Sequence, residues 1–269
     1  MPYKCLSIAG FDGSGGAGLQ ADLKTFSALE CYGMTVLTAL PIQNTQGVRH
    51  CYELPLAAIE AQLSAIFDDI KPDSIKIGML FKRDIIELVR HFLTKHATGI
   101  PIVLDPVMVA KSGDHLLMPD AIDALKKLCP IVTLLTPNRP EASALTQLPN
   151  DDPMIAEKLL QLGAEAILLK GGHQPGDSSD DLLMFNQPHQ EIWLKSPRIN
   201  SKNTHGTGCT LSAAIAANLA KGISLVESCR MAKEYLYNAI SASQLISVGH
   251  GHGPVHHFHN LWSRDGKNW

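Results

Sequence analysis

Six short apolar runs recur along this chain with a helical stripe between every consecutive pair, and that alternation limits the fold more than any single motif. Residues 4–9, 34–39, 74–77, 102–104, 132–135 and 166–169, rich in Val, Ile and Leu, read as buried strands. Between them, 19–29, 56–66, 83–93, 121–128 and 155–162 place apolar side chains at helical spacing. Strand, helix, strand in this rhythm demands crossover connections, hence a parallel sheet covered on both faces. Residues 182–185 and 191–194 predict a short antiparallel addition, and 207–220 and 225–245 predict two long helices. No internal repeat, charge block or flexible linker interrupts the pattern. The expectation is one α/β domain over 1–269, with a mainly parallel central sheet flanked by helices on both faces.

Bulk properties narrow the partner. With 45% hydrophobic residues in 269, the chain can fill a substantial core. A net charge of −3 and a pI near 6.4 provide no general attraction to nucleic acid or an anionic membrane, so a small molecule is the expected partner. No apolar run approaches the roughly 18 residues that span a bilayer, and the start, MPYKCLSIAGFDG, is too short in apolar residues for a signal peptide. The six cysteines are scattered without a C-x-x-C pair, the usage of a reduced, cytoplasmic protein.

The polar motifs follow the strands: AGFDGSGGAG, PIQNTQG, GML, DPVMVAKSGD, TPNRPEA and KGGH. In parallel α/β sheets ligands bind outside the carboxyl ends of the strands, so these loops should converge on one rim. KNTHGTGCTL adds a glycine-bearing loop that runs into a helix, with Gly206, Thr207 and Gly208 ahead of Cys209. Free backbone N–H groups and the positive end of the helix dipole suit an anion there, and the same field should ease ionisation of the Cys209 thiol. The pattern points to phosphoryl transfer.

Other readings compete. GSGGAG at 13–18 formally matches a dinucleotide fingerprint, yet the following strand carries no acidic residue for the ribose. The glycines better suit close approach to a small substrate, with Asp12 and Asp22 as acceptors for its hydroxyl or amine, or as turn and helix caps. No Walker sequence occurs, so a nucleotide needs another architecture. Asp105 and Glu141 suit Mg²⁺, partly through water, and Lys170 could neutralise nucleotide phosphate. Gln43 and Asn44 pair donor with acceptor, as an aminopyrimidine requires, and Met79 offers an adaptable apolar wall. Cys209 with His205 as its base would instead make a hydrolase or acyl transferase. The five histidines of GHGHGPVHHFH read as a surface loop more readily than as a metal site.

IAGFDGSGGAGLQADLKTFSALECYG, QNTQGV, KIGML, VLDPVMVAKSGD, LLTPNRPEA, LLKGGH, SKNTHGTGCTLSAAIAA and GHGPVHHF occur in order along nearly the whole chain. In these blocks it closely resembles the hydroxymethylpyrimidine/phosphomethylpyrimidine kinases of thiamine biosynthesis, in the ribokinase-like superfamily. The resemblance implies a homodimeric enzyme using ATP and Mg²⁺. It would phosphorylate 4-amino-5-hydroxymethyl-2-methylpyrimidine and then its monophosphate, with pyridoxal kinase as the alternative. It further implies that Gln43 reads the pyrimidine, in a pocket with Gly10, Ala17, Asp22, Met79 and Val107. Lys170, Thr204 and Asn138 would contact ATP, while Asp105 and Glu141 would organise magnesium. The 206–209 amides would form an anion hole, and Cys209 stands where many superfamily members carry an aspartate base. Phe11 and Gly13 depart from the serines frequent in the family, and Pro41 from its usual string before the glutamine.

Overall fold

The computed structural model of the protein describes residues 1–110, 113–172 and 176–262. Lys111 and Ser112 of the DPVMVAKSGD loop and His173 of KGGH lie outside the described residues. Eight strands form one sheet: β1 (Tyr3–Ala9), β2 (Cys31–Leu37), β5 (Ser74–Ile77), β6 (Ile102–Leu104), β7 (Leu134–Leu135), β8 (Ala166–Leu169), β9 (Asp181–Phe185) and β10 (Gln190–Leu194). Their order is β10-β9-β8-β7-β6-β5-β1-β2. Pairing is parallel from β2 through β8, and antiparallel from β8 to β9 and from β9 to β10. The predicted α/β fold with a mainly parallel sheet is what forms.

Strand alternation explains how the sheet is covered. Leu6 and Ile8 of β1, Ile75 and Ile77 of β5, and Ile102 and Leu104 of β6 enter one apolar cluster. That face is closed by α2 (Leu56–Asp69), α3 (Arg83–His96), α4 (Ile122–Leu128), α5 (Arg139–Thr146) and α6 (Ile155–Leu160). Cys5, Val103, Leu134, Ala166 and Leu168 point the other way, against α1 (Gly18–Ala28), α7 (Thr207–Ala220) and α8 (Leu225–Ala242). Each fully buried aliphatic side chain contributes about 1.5–3 kcal/mol of transfer free energy. Helix α7 is apolar almost all round, from Leu211 through Ala217, because it is sandwiched between α1, α8 and the sheet.

Two local expectations are corrected. The predicted strand over 34–39 divides: β2 ends at Leu37, where Thr38 bonds back to Ala9 through its amide and to the Met79 carbonyl through its hydroxyl. The chain then leaves the sheet as a hairpin of β3 (Ala39–Asn44) and β4 (Gly47–Glu53), so the PIQNTQG stretch is strand and turn, not a plain loop. Pro41 is tolerated because a two-stranded ribbon leaves amide positions outside any ladder. TPNRPEA likewise contains the start of α5. Asn138 caps it, accepting from the Glu141 amide at 2.9 Å while Glu141 accepts from the Asn138 amide at 2.8 Å. No described helix is long and apolar enough to cross a membrane.

Candidate active site

The strand order reverses around β1 and β5, and the loops leaving the carboxyl ends there and at β6, β7 and β8 open on a single cavity of about 630 Å³. Gly10 follows β1, Met79 follows β5, Asp105 follows β6, Asn138 follows β7 and Lys170 closes β8. The helix start of α7 enters the same space with Gly206, Thr207, Gly208 and Cys209, and Thr204 lies just ahead of it. Ala17, Gln43, Val107 and Glu141 complete the convergence. Of the residues singled out for a site role in the sequence, Asp12, Asp22 and Asn44 do not line this cavity and the others do.

Tight backbone contacts hold the α7 start in place. Gly206 has φ +77°, and a Cβ there would lie 1.8 Å from the Gly16 carbonyl oxygen. The α7 and α1 loops therefore cross at van der Waals distance, which only glycine permits. A Cβ on Gly208 would stand 3.1 Å from Asp105 Oδ2, so that glycine brings the helix amides beside the carboxylate. Gly208 and Cys209 belong to the first turn, whose N–H groups have no carbonyl one turn back to bond. Asp12 locks the arrangement by accepting from Ser14, Gly16 and Ala17 amides and from the Ser14 hydroxyl. His205 Nε2 lies 2.8 Å from the second Asp12 oxygen. Asp12 is thus a buried loop anchor and not a substrate acceptor. Asp12 occupies the His205 imidazole, and no hydrogen bond among the described residues joins His205 to Cys209, so the nucleophile-and-base reading loses its geometry.

Three charged groups define the far end. Lys170 Nζ donates to Asp105 Oδ1 at 2.8 Å and lies 3.9 Å from Glu141 Oε2. Burial alone would lower Lys170, but Asp105 and Glu141 outweigh it and keep the ammonium charged. Burial raises the Glu141 carboxyl to about 7, and Lys170 offsets only part of that rise. Two carboxylates with hard oxygen donors around one cation form a set suited to a divalent ion as well, since added positive charge would also stabilise ionised Glu141. Lys170 itself is held by its neighbour in sequence: the Gly171 amide donates to Asp181 Oδ1 at 2.8 Å, and Lys233 Nζ donates to Asp181 Oδ2 at 2.6 Å.

At the other end, Gln43 lines the cavity from the β3 ribbon, and its Nε2 donates to the Phe11 carbonyl at 3.2 Å. A Cβ on Gly10 would meet Met79 Sδ at 2.8 Å, so Gly10 and Met79 pack as one wall. Asp22 is a correction. It is fully enclosed in α1, accepts from both Lys76 at 2.8 and 3.0 Å and Ser7 at 2.5 Å, and offers nothing to a ligand. Its partner Lys76, at the third position of β5, is fully buried yet lines the cavity. The sequence reading passed over it; a lysine inside the apolar strand SIKI was the available signal.

The Cys209 expectation is also corrected. Burial pushes the thiol up to about 11; Lys76 is the strongest opposing influence, and the Gly18 amide helps. Desolvation of the thiolate at the cavity wall outweighs the helix start. Of the C-terminal histidines, His250 and His252 are exposed, but His256 and His257 are buried, and His257 Nε2 lies 3.1 Å from Thr210 Oγ1. That segment packs on α7 and α8 instead of forming a wholly surface loop.

Comparison with known proteins agrees with this geometry. The family model described as phosphomethylpyrimidine kinase matches residues 12–256. The hydroxymethylpyrimidine/phosphomethylpyrimidine kinase of Salmonella typhimurium is 49% identical over 263 residues, covering 96% of this chain and 98% of the relative. The crystal structure of phosphomethylpyrimidine kinase from Clostridium difficile superposes with a TM-score of 0.76 at 40% identity, over 88% of this chain and 99% of that one. A pyridoxal kinase of Bacillus subtilis, solved as an ADP complex, superposes with a TM-score of 0.86 at 37% identity, over 96% of this chain and 98% of that one. Its sheet order, its cavity at the strand carboxyl ends and these likenesses along nearly its whole length agree: the chain belongs to the phosphomethylpyrimidine kinase family.

Proposed function

We propose that this protein is an ATP- and Mg²⁺-dependent kinase of a hydroxymethyl-aminopyrimidine and then of its monophosphate, yielding the pyrophosphate used in thiamine synthesis. The observation that carries the reading is one cavity with Gln43, Gly10 and Met79 at one end, Lys170 and Asn138 at the other, and the α7 helix start between them. A heterocycle at the Gln43 end and a nucleotide at the Lys170 end would meet at Gly206–Cys209. The Bacillus subtilis pyridoxal kinase of like fold, solved as an ADP complex, supports a nucleotide as one of the two ligands.

The residues then divide the work by charge. Gln43 supplies the amide for the ring, while Gly10, Ala17, Met79 and Val107 close around its apolar atoms. Lys170 neutralises nucleotide phosphate as a fixed cation, with Thr204 and Asn138 beside it. Asp105 and Glu141 would hold magnesium, which when bound neutralises phosphate charge and orders the polyphosphate. The Gly208 and Cys209 amides face the moving phosphoryl group, and a comparable preorganised donor is worth on the order of 10²–10³ in rate. Cys209 accepts the hydroxymethyl proton as the substrate oxygen bonds to the γ-phosphorus and ADP departs. The second transfer begins from a phosphate oxygen that is already ionised and asks less of that base. A single kinase domain, a homodimer and a cytoplasmic location complete the proposal.

The test is ADP release with Mg-ATP and hydroxymethylpyrimidine or pyridoxal in parallel, with products identified by mass. Monophosphate followed by pyrophosphate is expected. Turnover confined to pyridoxal would overturn the substrate and the role of Gln43. That second reading draws its support from the pyridoxal kinase likeness.

A further inference from the structure

Ser74 and Lys76 occupy the side of β5 that faces α1 and α7, where most packed neighbours from the sheet are apolar or a thiol and Ser7 of β1 is the polar exception. A lysine there is costly unless its charge is used or matched. Lys76 is matched: Asp22 of α1 holds it with both carboxylate oxygens, and Ser7 of β1 donates to Asp22 from behind. Yet matching alone does not account for its position, because the side chain also reaches the cavity wall that carries Cys209. A purely structural pair could have been closed off from the cavity, as Asp22 is.

We propose that Lys76 is a positioning residue of the phosphoryl transfer, a cation fixed by Asp22 that stabilises the negative charge on Cys209 when that thiol takes the substrate proton. The inference rests on the reading of Cys209 as proton acceptor and goes beyond it by naming what makes this half-buried thiol able to serve. The charges facing Cys209 are Lys76 from β5, Asp22 from α1, Asp105 after β6 and Lys170 after β8. Of these, Lys76 acts most strongly and in the direction of the thiolate. Asp22 keeps Lys76 protonated: burial would push the ammonium down, and the carboxylate against it more than reverses that. The cost of a charged pair under the site is thereby exchanged for a preorganised field at the reacting atom.

Thiolate content is read directly by the rate at which Cys209 is alkylated by iodoacetamide between pH 8 and 10, mapped by mass spectrometry, with half-buried Cys51 as internal reference. Lys76→Met should slow Cys209 alkylation at pH 9 by about tenfold or more, since an opposite charge at close range moves a titration by about one unit or more. Because that variant leaves Asp22 buried without a partner, the Lys76→Met/Asp22→Asn double variant keeps the test open if it unfolds. It should slow alkylation in the same direction by a smaller factor. Ser7→Ala perturbs the packing but keeps both charges, and should leave the Cys209 profile unchanged. In the double variant, the rate constant for phosphorylating the alcohol should fall more than that for the monophosphate. Alkylation of Cys209 at the wild-type rate in both Lys76 variants would overturn the proposal, as would an equal slowing in Ser7→Ala. A raised KM for the pyrimidine with an unaltered thiol profile would also overturn it, by making Lys76 a substrate contact. Full activity of Cys209→Ala would instead sink the proton-acceptor reading while leaving the alkylation result intact.

Discussion

At the scale of single residues, the site depends on how burial competes with charge. Cys209 sits at a helix start that favours an anion, yet burial holds its thiol up at about 11. A base with a raised value has more of its active form as pH increases, so the rate of alcohol phosphorylation should climb between pH 7 and 9. That slope should vanish in Cys209→Ala, along with on the order of 10²-fold of the rate, within the range of general-base contributions. Phosphorylation of the monophosphate should be nearly insensitive to both changes; equal losses in the two steps would contradict the assignment. Gly206→Ala belongs at this scale too. Its φ of +77° and a Cβ 1.8 Å from the Gly16 oxygen predict a backbone cost of about 1–3 kcal/mol before steric repair. Thermal unfolding of the variant, against a Thr207→Ala control, measures it. The GTG string was legible as a helix-start anion site from residue types alone. That Gly206 is needed for the crossing with the α1 loop was not, because Gly16 lies far away in sequence.

At the scale of elements, the loops are stitched by a few buried acids. Burial alone would raise Asp12, but the His205 and Ser14 hydrogen bonds, with the Ala17 amide, hold its carboxyl below the usual range. Its unfolded value is about 3.9. A depressed folded value means its contribution is complete above that unfolded value and drains as pH falls through the folded one. Asp12→Asn should therefore cost about 1.5–3 kcal/mol at pH 7, the worth of hydrogen bonds to a charged group, and the gap from wild type should begin to narrow only below about pH 4 and shrink progressively with further acidification. Melting curves across that range decide it; a gap that does not narrow in acid would mean the loss is steric. The same stitching explains what the sequence reading misjudged. Asp12 and Asp22 both look like available acceptors after a glycine-rich strand, but one meets His205, 193 residues on, and the other meets Lys76, 54 residues on. The helix start at Asn138–Glu141 was open to recognition as a capping box within four residues, whereas the β3–β4 hairpin was hidden in a continuous apolar run that also supplies β2.

At the scale of the whole molecule, two ends of one cavity should respond to ligands separately. A nucleotide bound at 100 times its Kd raises stability by about 2.7 kcal/mol. Mg-ADP and hydroxymethylpyrimidine should each raise the melting temperature of the wild type. Lys170→Ala should abolish the nucleotide response and keep the pyrimidine response, and Gln43→Ala should do the reverse. Loss of both responses in either variant would mean that the cavity is not partitioned in this way. What the sequence by itself determined is the class of fold and the rim on which chemistry gathers. Strand and helix periodicity act over a few residues, and parallel crossovers bring every strand carboxyl end to one side. What only the tertiary structure decided is which charges on that rim are spent on holding the protein together. Asp12 and Asp22 carry the same residue types as a binding site, yet they are taken up by His205 and Lys76, which the fold brings within hydrogen-bond reach from distant parts of the chain. Burial depth, which sets whether a thiol or carboxyl keeps its charge, is likewise a property of packing and has no local signature.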